Sequence, residues 1–178
     1  MLAAVALSVA LGLGGCGLVG SGVHSGSTPT HSASASNGLN SLQPLVPVTL
    51  TAASAQKATV NLAKQLESLV ASTDIVHVDD HAQLVPATTS AASYYGDLRT
   101  ITVSSKLDPN EQATAMEKLL VAAGWTLNDT TSATGRYLAA LSSSVEPTRA
   151  WFLLLGGDST VATSPVVTLQ LASPDLPK

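Results

Sequence analysis

Residues 108–125 read Asp108-Pro109-Asn110-Glu111-Gln112-Ala113-Thr114-Ala115-Met116-Glu117-Lys118-Leu119-Leu120-Val121-Ala122-Ala123-Gly124-Trp125, a helix with both of its ends written into it. Asp108 suits the N-cap and Pro109 the first helical position, where a missing N–H costs nothing. Glu111 at the third position completes a capping-box pattern. Ala113, Met116, Leu119, Leu120 and Ala123 recur at helical spacing as an apolar stripe. Gly124 fits the left-handed position just past the end, and Trp125 stands where a Schellman ending packs back on the last turn. The pattern predicts a helix over 109–123.

On its C-terminal side the spacing changes to that of strands. Thr126-Leu127 starts one, Arg136–Leu141 is a second, Trp151–Leu155 a third and Val166–Leu171 a fourth. Trp151–Leu155 is the most apolar and is read as central. Gly156-Gly157-Asp158-Ser159 and Ser164-Pro165 bound the loop between the last two. On the N-terminal side, Arg99–Ser104 alternates polar and apolar residues, and Ser93-Tyr94-Tyr95 begins another strand ahead of Gly96-Asp97. Ile75–Val78 is short and β-branched. Asp79-Asp80-His81 reads as a turn, with Gln83–Val85 as a second short strand ended by Pro86. Before these, Leu62, Leu66, Leu69 and Val70, with Val60 and Ala63, mark a first helix over Ala52–Ser72, capped by Thr51 or Thr49. Helix, strands, helix, strands imply an α+β domain: an antiparallel sheet of about four to six strands with two helices packed on one face.

The chain has 178 residues, a formal net charge of -4 and only 11% charged residues. That balance excludes a basic nucleic-acid surface. With two Trp, three Tyr and one Phe, the core must be mainly aliphatic. The one cysteine, Cys16, rules out an internal disulfide, so the fold is held by packing alone.

Cys16 also closes the stretch Leu11-Gly12-Leu13-Gly14-Gly15-Cys16, after an apolar segment from Leu2 to Leu13 with no Lys, Arg or carboxylate. That segment has the length of a signal-peptide apolar region and is too short to span a bilayer. An apolar run, two small residues and a lone Cys resemble the lipobox of bacterial lipoprotein signal peptides. The resemblance implies removal of residues 1–15 and a diacylglyceryl group on the Cys16 thiol. Cys16 would then be the first residue of the mature, acylated (palmitate-type) protein. It places the protein at the outer face of the cell membrane. The Ala, Thr, Ser and Val usage with little Lys fits a high-GC, Gram-positive bacterium. Residues 16–41, rich in Gly, Ser, Thr and Ala, cannot bury enough apolar surface to order themselves. They read as a tether with a reach of roughly 25–30 Å. Residues 42–175 form the single folded domain.

The one clustered titratable motif is His77-Val78-Asp79-Asp80-His81. In an extended strand His77, Asp79 and His81 share a face and suit Zn²⁺ or another divalent ion. A turn at Asp79-Asp80 breaks that face, so no metal and no cofactor is expected. No serine sits in a Gly-x-Ser-x-Gly elbow, no pair of carboxylates stands out, and Gly156-Gly157-Asp158 lacks the lysine of a phosphate loop. Arg99, Arg136 and Arg149 read as surface ion-pairing residues, and Trp151 and Phe152 as core. The expected function is therefore a lipid-anchored, non-enzymatic envelope protein. It would meet the membrane through Cys16 and an envelope protein or small ligand through its domain. The alternatives are a metal-binding or hydrolytic lipoprotein using His77, Asp79 and His81, and a carrier of small apolar molecules in a cavity lined by residues such as Leu66, Met116 and Leu153.

Overall fold

The computed structural model describes residues 42–43, 50–88, 92–144, 146 and 149–177. The proposed signal segment 1–15, Cys16 and the tether 16–41 lie outside the described residues.

The domain is α+β: two helices, α1 (Ala52–Glu67) and α2 (Pro109–Ala122), pack on a six-stranded antiparallel sheet. Its strands are β1 (Ile75–Val85), β2 (Tyr94–Val103), β3 (Thr126–Ala133), β4 (Arg136–Ser142), β5 (Phe152–Asp158) and β6 (Val166–Ala172), in the spatial order β1-β2-β6-β5-β4-β3. The apolar β5 and β6 are the central pair, and β1 and β3 are the edges.

Both helices start as their residue types dictate. The Thr51 hydroxyl accepts from the Ser54 N–H at 3.2 Å, and the Ser54 hydroxyl accepts from the Thr51 N–H at 2.9 Å, a reciprocal box that satisfies two orphan donors. Asp108 Oδ1 accepts from the N–H groups of Asn110 and Glu111. Asp108→Ala should lower unfolding free energy by about 1 kcal/mol, with little change in denaturant slope; a chemical denaturation curve with an unmoved midpoint would show that the cap is idle.

The far end of α2 is a complete Schellman motif. Gly124 takes φ +98°, its N–H reaches the Val121 carbonyl, and the Trp125 N–H reaches the Leu120 carbonyl. Trp125 is then buried, with its indole N–H donated to the Leu42 carbonyl at 2.8 Å. α1 stops earlier than expected, at Glu67 rather than Ser72. The N–H groups of Leu69 and Val70 turn to the carbonyls three residues back, and this tighter turn buries Val70.

Strand pairing overrides local turn chemistry at three places. Asp79-Asp80-His81 is no turn: β1 runs unbroken past it, because from His77 to Val85 every residue has a partner in β2. β2 likewise runs through Gly96-Asp97 as one strand, held between β1 and β6. Gly156, Gly157 and Asp158 belong to β5 rather than to a loop, paired with β4 and β6.

The sheet's inner face, toward the helices, reads in cross-strand rows. One is Asp97-Leu171-Leu153-Leu141 and the next is Arg99-Leu169-Leu155-Ala139, all buried. Leu62, Ala63 and Leu66 of α1 and Ala113, Met116 and Leu120 of α2 bury into these rows. Leu119, expected in the α2 stripe, is instead 40% exposed. Trp151, fully buried, donates its indole N–H to the buried Thr59 hydroxyl of α1 at 3.1 Å, tying helix to sheet.

Candidate functional site

Among the described residues, helices cover one face of the sheet only. The registers place the other face in four rows, each written from β1 to β3. The first is Gln83-Gly96-Ala172-Phe152-Ser142-Thr126. The second is His81-Leu98-Gln170-Leu154-Ala140-Asp129. The third is Asp79-Thr100-Thr168-Gly156-Leu138-Thr131, and the fourth is His77-Thr102-Val166-Asp158-Arg136-Ala133. Four large apolar side chains stand exposed here: Leu98 (38%), Leu138 (46%), Phe152 (43%) and Leu154 (40%). Phe152, Leu154 and Leu138 sit on the neighbouring strands β5 and β4, Leu98 stands beyond Gln170 on β2, and His77, Asp79, His81 and Asp129 lie on the edge strands. Large apolar side chains grouped on an exposed face and rimmed by polar residues make this face the candidate interaction surface.

Beside the patch lies a hollow of about 400 Å³, lined by Leu138, Gly156, Thr168, Thr131 and the Arg136–Asp158 pair. It exists because Gly156 has no side chain in the third row. A second hollow, of about 470 Å³, lies between α2 and the β3–β4 end of the sheet, lined by residues that include Glu111, Lys118, Arg136 and Tyr137. Arg136 Nε sits 2.9 Å from Asp158 Oδ2. The Thr160 hydroxyl and backbone N–H, both donated to Asp158, and then Arg136, hold its carboxyl below the usual range. Tyr137, one of its lining residues, donates its hydroxyl to the Glu117 carboxylate of α2.

His77, Asp79 and His81 are each brought to the open face, on edge strand β1, because that strand is extended and not turned. His77 Nε2 lies 3.1 Å from Asp79 Oδ1, both side chains about 60% exposed. Among the described residues no three His, Cys, Asp or Glu side chains converge as a metal ion would require. Leu66, Met116 and Leu153 are packed into the core, each at most 1% exposed.

Arg99 is the main departure from the sequence reading. It is buried on the inner face, not at the surface. Its Nη1 lies 2.5 Å from Glu67 Oε2, its Nε 3.2 Å from Asp97 Oδ1, and its Nη2 3.5 Å from Asp80 Oδ2. The β1–β2 pairing and the C-terminal turn of α1 thus bring three carboxylates to one guanidinium. Burial raises the Asp97 pKa, and the attraction of Arg99 only partly opposes this. For Arg99, burial disfavours the charge, but Asp97 and Glu67 together outweigh it and hold the guanidinium still more firmly protonated. This cluster faces α1 rather than a hollow and serves to bind helix to sheet. Arg136, by contrast, is a surface ion-pairing residue as expected, and Trp151 is core, whereas Phe152 is not.

The open face carried a sequence signal. Trp151-Phe152-Leu153-Leu154-Leu155 is apolar in both strand registers. Two helices on one face of the sheet bury only one of those registers, so Phe152 and Leu154 must point away from them.

No family profile matches the chain, and comparison with curated proteins and with solved structures likewise returns no match. No helix among the described residues is long and apolar enough to cross a membrane.

Proposed function

We propose that this chain is a lipid-anchored, non-enzymatic protein of the outer face of the bacterial cell membrane, which presents the open face of its sheet as a binding surface. The observation that carries the binding role is the cluster of Leu98, Leu138, Phe152 and Leu154 on the face that the helices leave bare. The anchor rests on the apolar Leu2–Leu13 segment followed by Gly14-Gly15-Cys16. Two acyl chains on one residue anchor stably, at about 0.8 kcal/mol per buried methylene.

The test of the anchor is the intact mass of the protein from the membrane fraction of its own host, beside a Cys16→Ser variant. We expect a mass that begins at Cys16 with added diacylglyceryl, and release of the variant from the membrane. An unmodified mass, or wild-type protein free in the medium, would sink the anchor.

A further inference from the structure

We infer that the open face takes a second copy of this chain, the two sheets packing face to face about a two-fold axis parallel to the strands and midway between β6 and β5. This deepens the binding role proposed above by naming its occupant; it rests on the open face and not on the lipid.

The four rows are matched to themselves in shape. A two-fold axis in that position lays β1 of each copy over β3 of the other, β2 over β4, and β6 over β5, with every row meeting itself reversed. In the first row Phe152 then meets Ala172. In the second Leu98 meets Ala140, Leu154 meets Gln170, and His81 meets Asp129. In the third Leu138 meets Thr100, Thr168 fills the space above Gly156, and Asp79 meets Thr131; in the fourth Val166 meets Asp158, Thr102 meets Arg136 and His77 meets Ala133. Phe152, Leu98 and Leu138 thus face smaller side chains and Leu154 faces Gln170, while Arg136 and Asp158 keep each other as partners at one end of the rows. Isologous contacts of this kind close after two copies. Aligned sheets pack about 30° off parallel, so the match holds best at the centre, among Ala172, Gln170, Thr168, Phe152, Leu154 and Gly156.

The area suffices. Strands about 4.8 Å apart and same-face residues about 6.7 Å apart give the six-by-four grid a footprint of roughly 600–700 Å² per copy. Twice that reaches the lower part of the range of stable, specific interfaces, about 1,200–2,000 Å².

The experiment is sedimentation equilibrium on the full chain carrying Cys16→Ser, so that no thiol can join two copies, over a concentration series. The expected result is a mass approaching twice the 18.0 kDa of one chain. Leu154→Lys, on the open face, should weaken association at least tenfold while the far-UV circular dichroism and thermal midpoint stay near those of the parent. Val121→Lys, on the exposed outer side of α2, should leave association unchanged. A second variant, Leu98→Lys, repeats the test in case the first fails to fold. A monomer throughout the series overturns the inference. So does association that survives both open-face lysines, since it would run through another surface such as the apolar N-terminal segment. Either failure leaves the mass test of the Cys16 anchor unaffected.

Discussion

Arg99→Met should cost the folded domain about 3–5 kcal/mol, the scale found when one partner of a buried ion pair is removed. Methionine keeps most of the stem volume, so the loss comes from charge rather than from a cavity. Asp97 has a fully buried side chain and two contacts to the Arg99 guanidinium. Without them its carboxylate keeps the cost of leaving water and loses what offset it. Glu67 adds to the effect: it closes α1 at the end where the helix dipole disfavours an anion, and Arg99 is the cation that holds it there. Asp80, mostly exposed, should matter little. The double variant Asp97→Asn with Arg99→Met leaves no uncompensated buried charge on β2, and should recover a large part of the loss. Chemical denaturation of the four proteins measures the coupling. A loss below about 1 kcal/mol for Arg99→Met would mean that the guanidinium is not buried against Asp97.

The same cluster fixes the sign of a pH effect. Burial raises the Asp97 pKa in the folded protein above that of the unfolded chain, against the pull of Arg99. The folded state therefore binds the extra proton, and its contribution to stability is fully present below the ordinary aspartate range. It is lost as pH rises through the raised value. Asp158 acts in the opposite sense: its lowered pKa adds stability above the ordinary range that disappears as pH falls. The difference between wild type and Asp97→Asn removes the Asp158 contribution, which both share. That difference should favour wild type progressively less as pH climbs out of the carboxylate range. A difference independent of pH there would refute the raised pKa.

The parts of the fold that were legible in the sequence are those whose signals are local. Asp108, Pro109, Gly124 and Trp125 mark the ends of α2 because caps and left-handed residues act within one turn of the chain. Strand existence was legible from alternation and β-branching, and the two-layer arrangement from the order of elements. What misled was chemistry that a neighbouring strand overrules. Asp79-Asp80 and Gly156-Gly157 are turn sequences by composition. Each is drawn straight by hydrogen bonds to a strand far away in the chain, which no local window contains. Arg99 misled for the same reason. Nothing within the alternating Arg99–Ser104 run reveals that Glu67, 32 residues earlier, will reach it. The open face was half legible: Phe152 and Leu154 fall in the register opposite Leu153 and Leu155, but Leu98 and Leu138 join them only once the strand order is known.

Gly157→Ala should be the most damaging single-methyl change in the domain, costing about 3 kcal/mol or more, although φ at Gly157 is not left-handed. The reason is a close approach of two backbones. Gly157 lies on the inner face of β5, directly beneath the start of α2. A Cβ there would meet the Pro109 carbonyl oxygen, with the carbonyl carbon at 2.6 Å and Asn110 Cα at 2.8 Å. These are main-chain atoms of the first helical turn and cannot swing aside as a side chain does. Their position is also held from the other side, since Asp108 caps the turn and the Asn110 amide donates to the Ser159 hydroxyl just past the end of β5. Relief requires α2 to lift from the sheet, which withdraws Ala113, Met116 and Leu120 from the core. Alanine's lower chain entropy in the unfolded state offsets only about 0.4–1 kcal/mol of this. Gly156, one residue earlier, supplies the control. A Cβ there points to the open face, meets nothing closer than the Tyr137 carbonyl oxygen at 3.5 Å, and touches Leu138 and Thr168 at ordinary distances. Gly156→Ala should therefore leave thermal stability within about 1 kcal/mol of wild type. Equal losses at the two positions would show that the strand itself, and not the seat of α2 upon it, demands glycine.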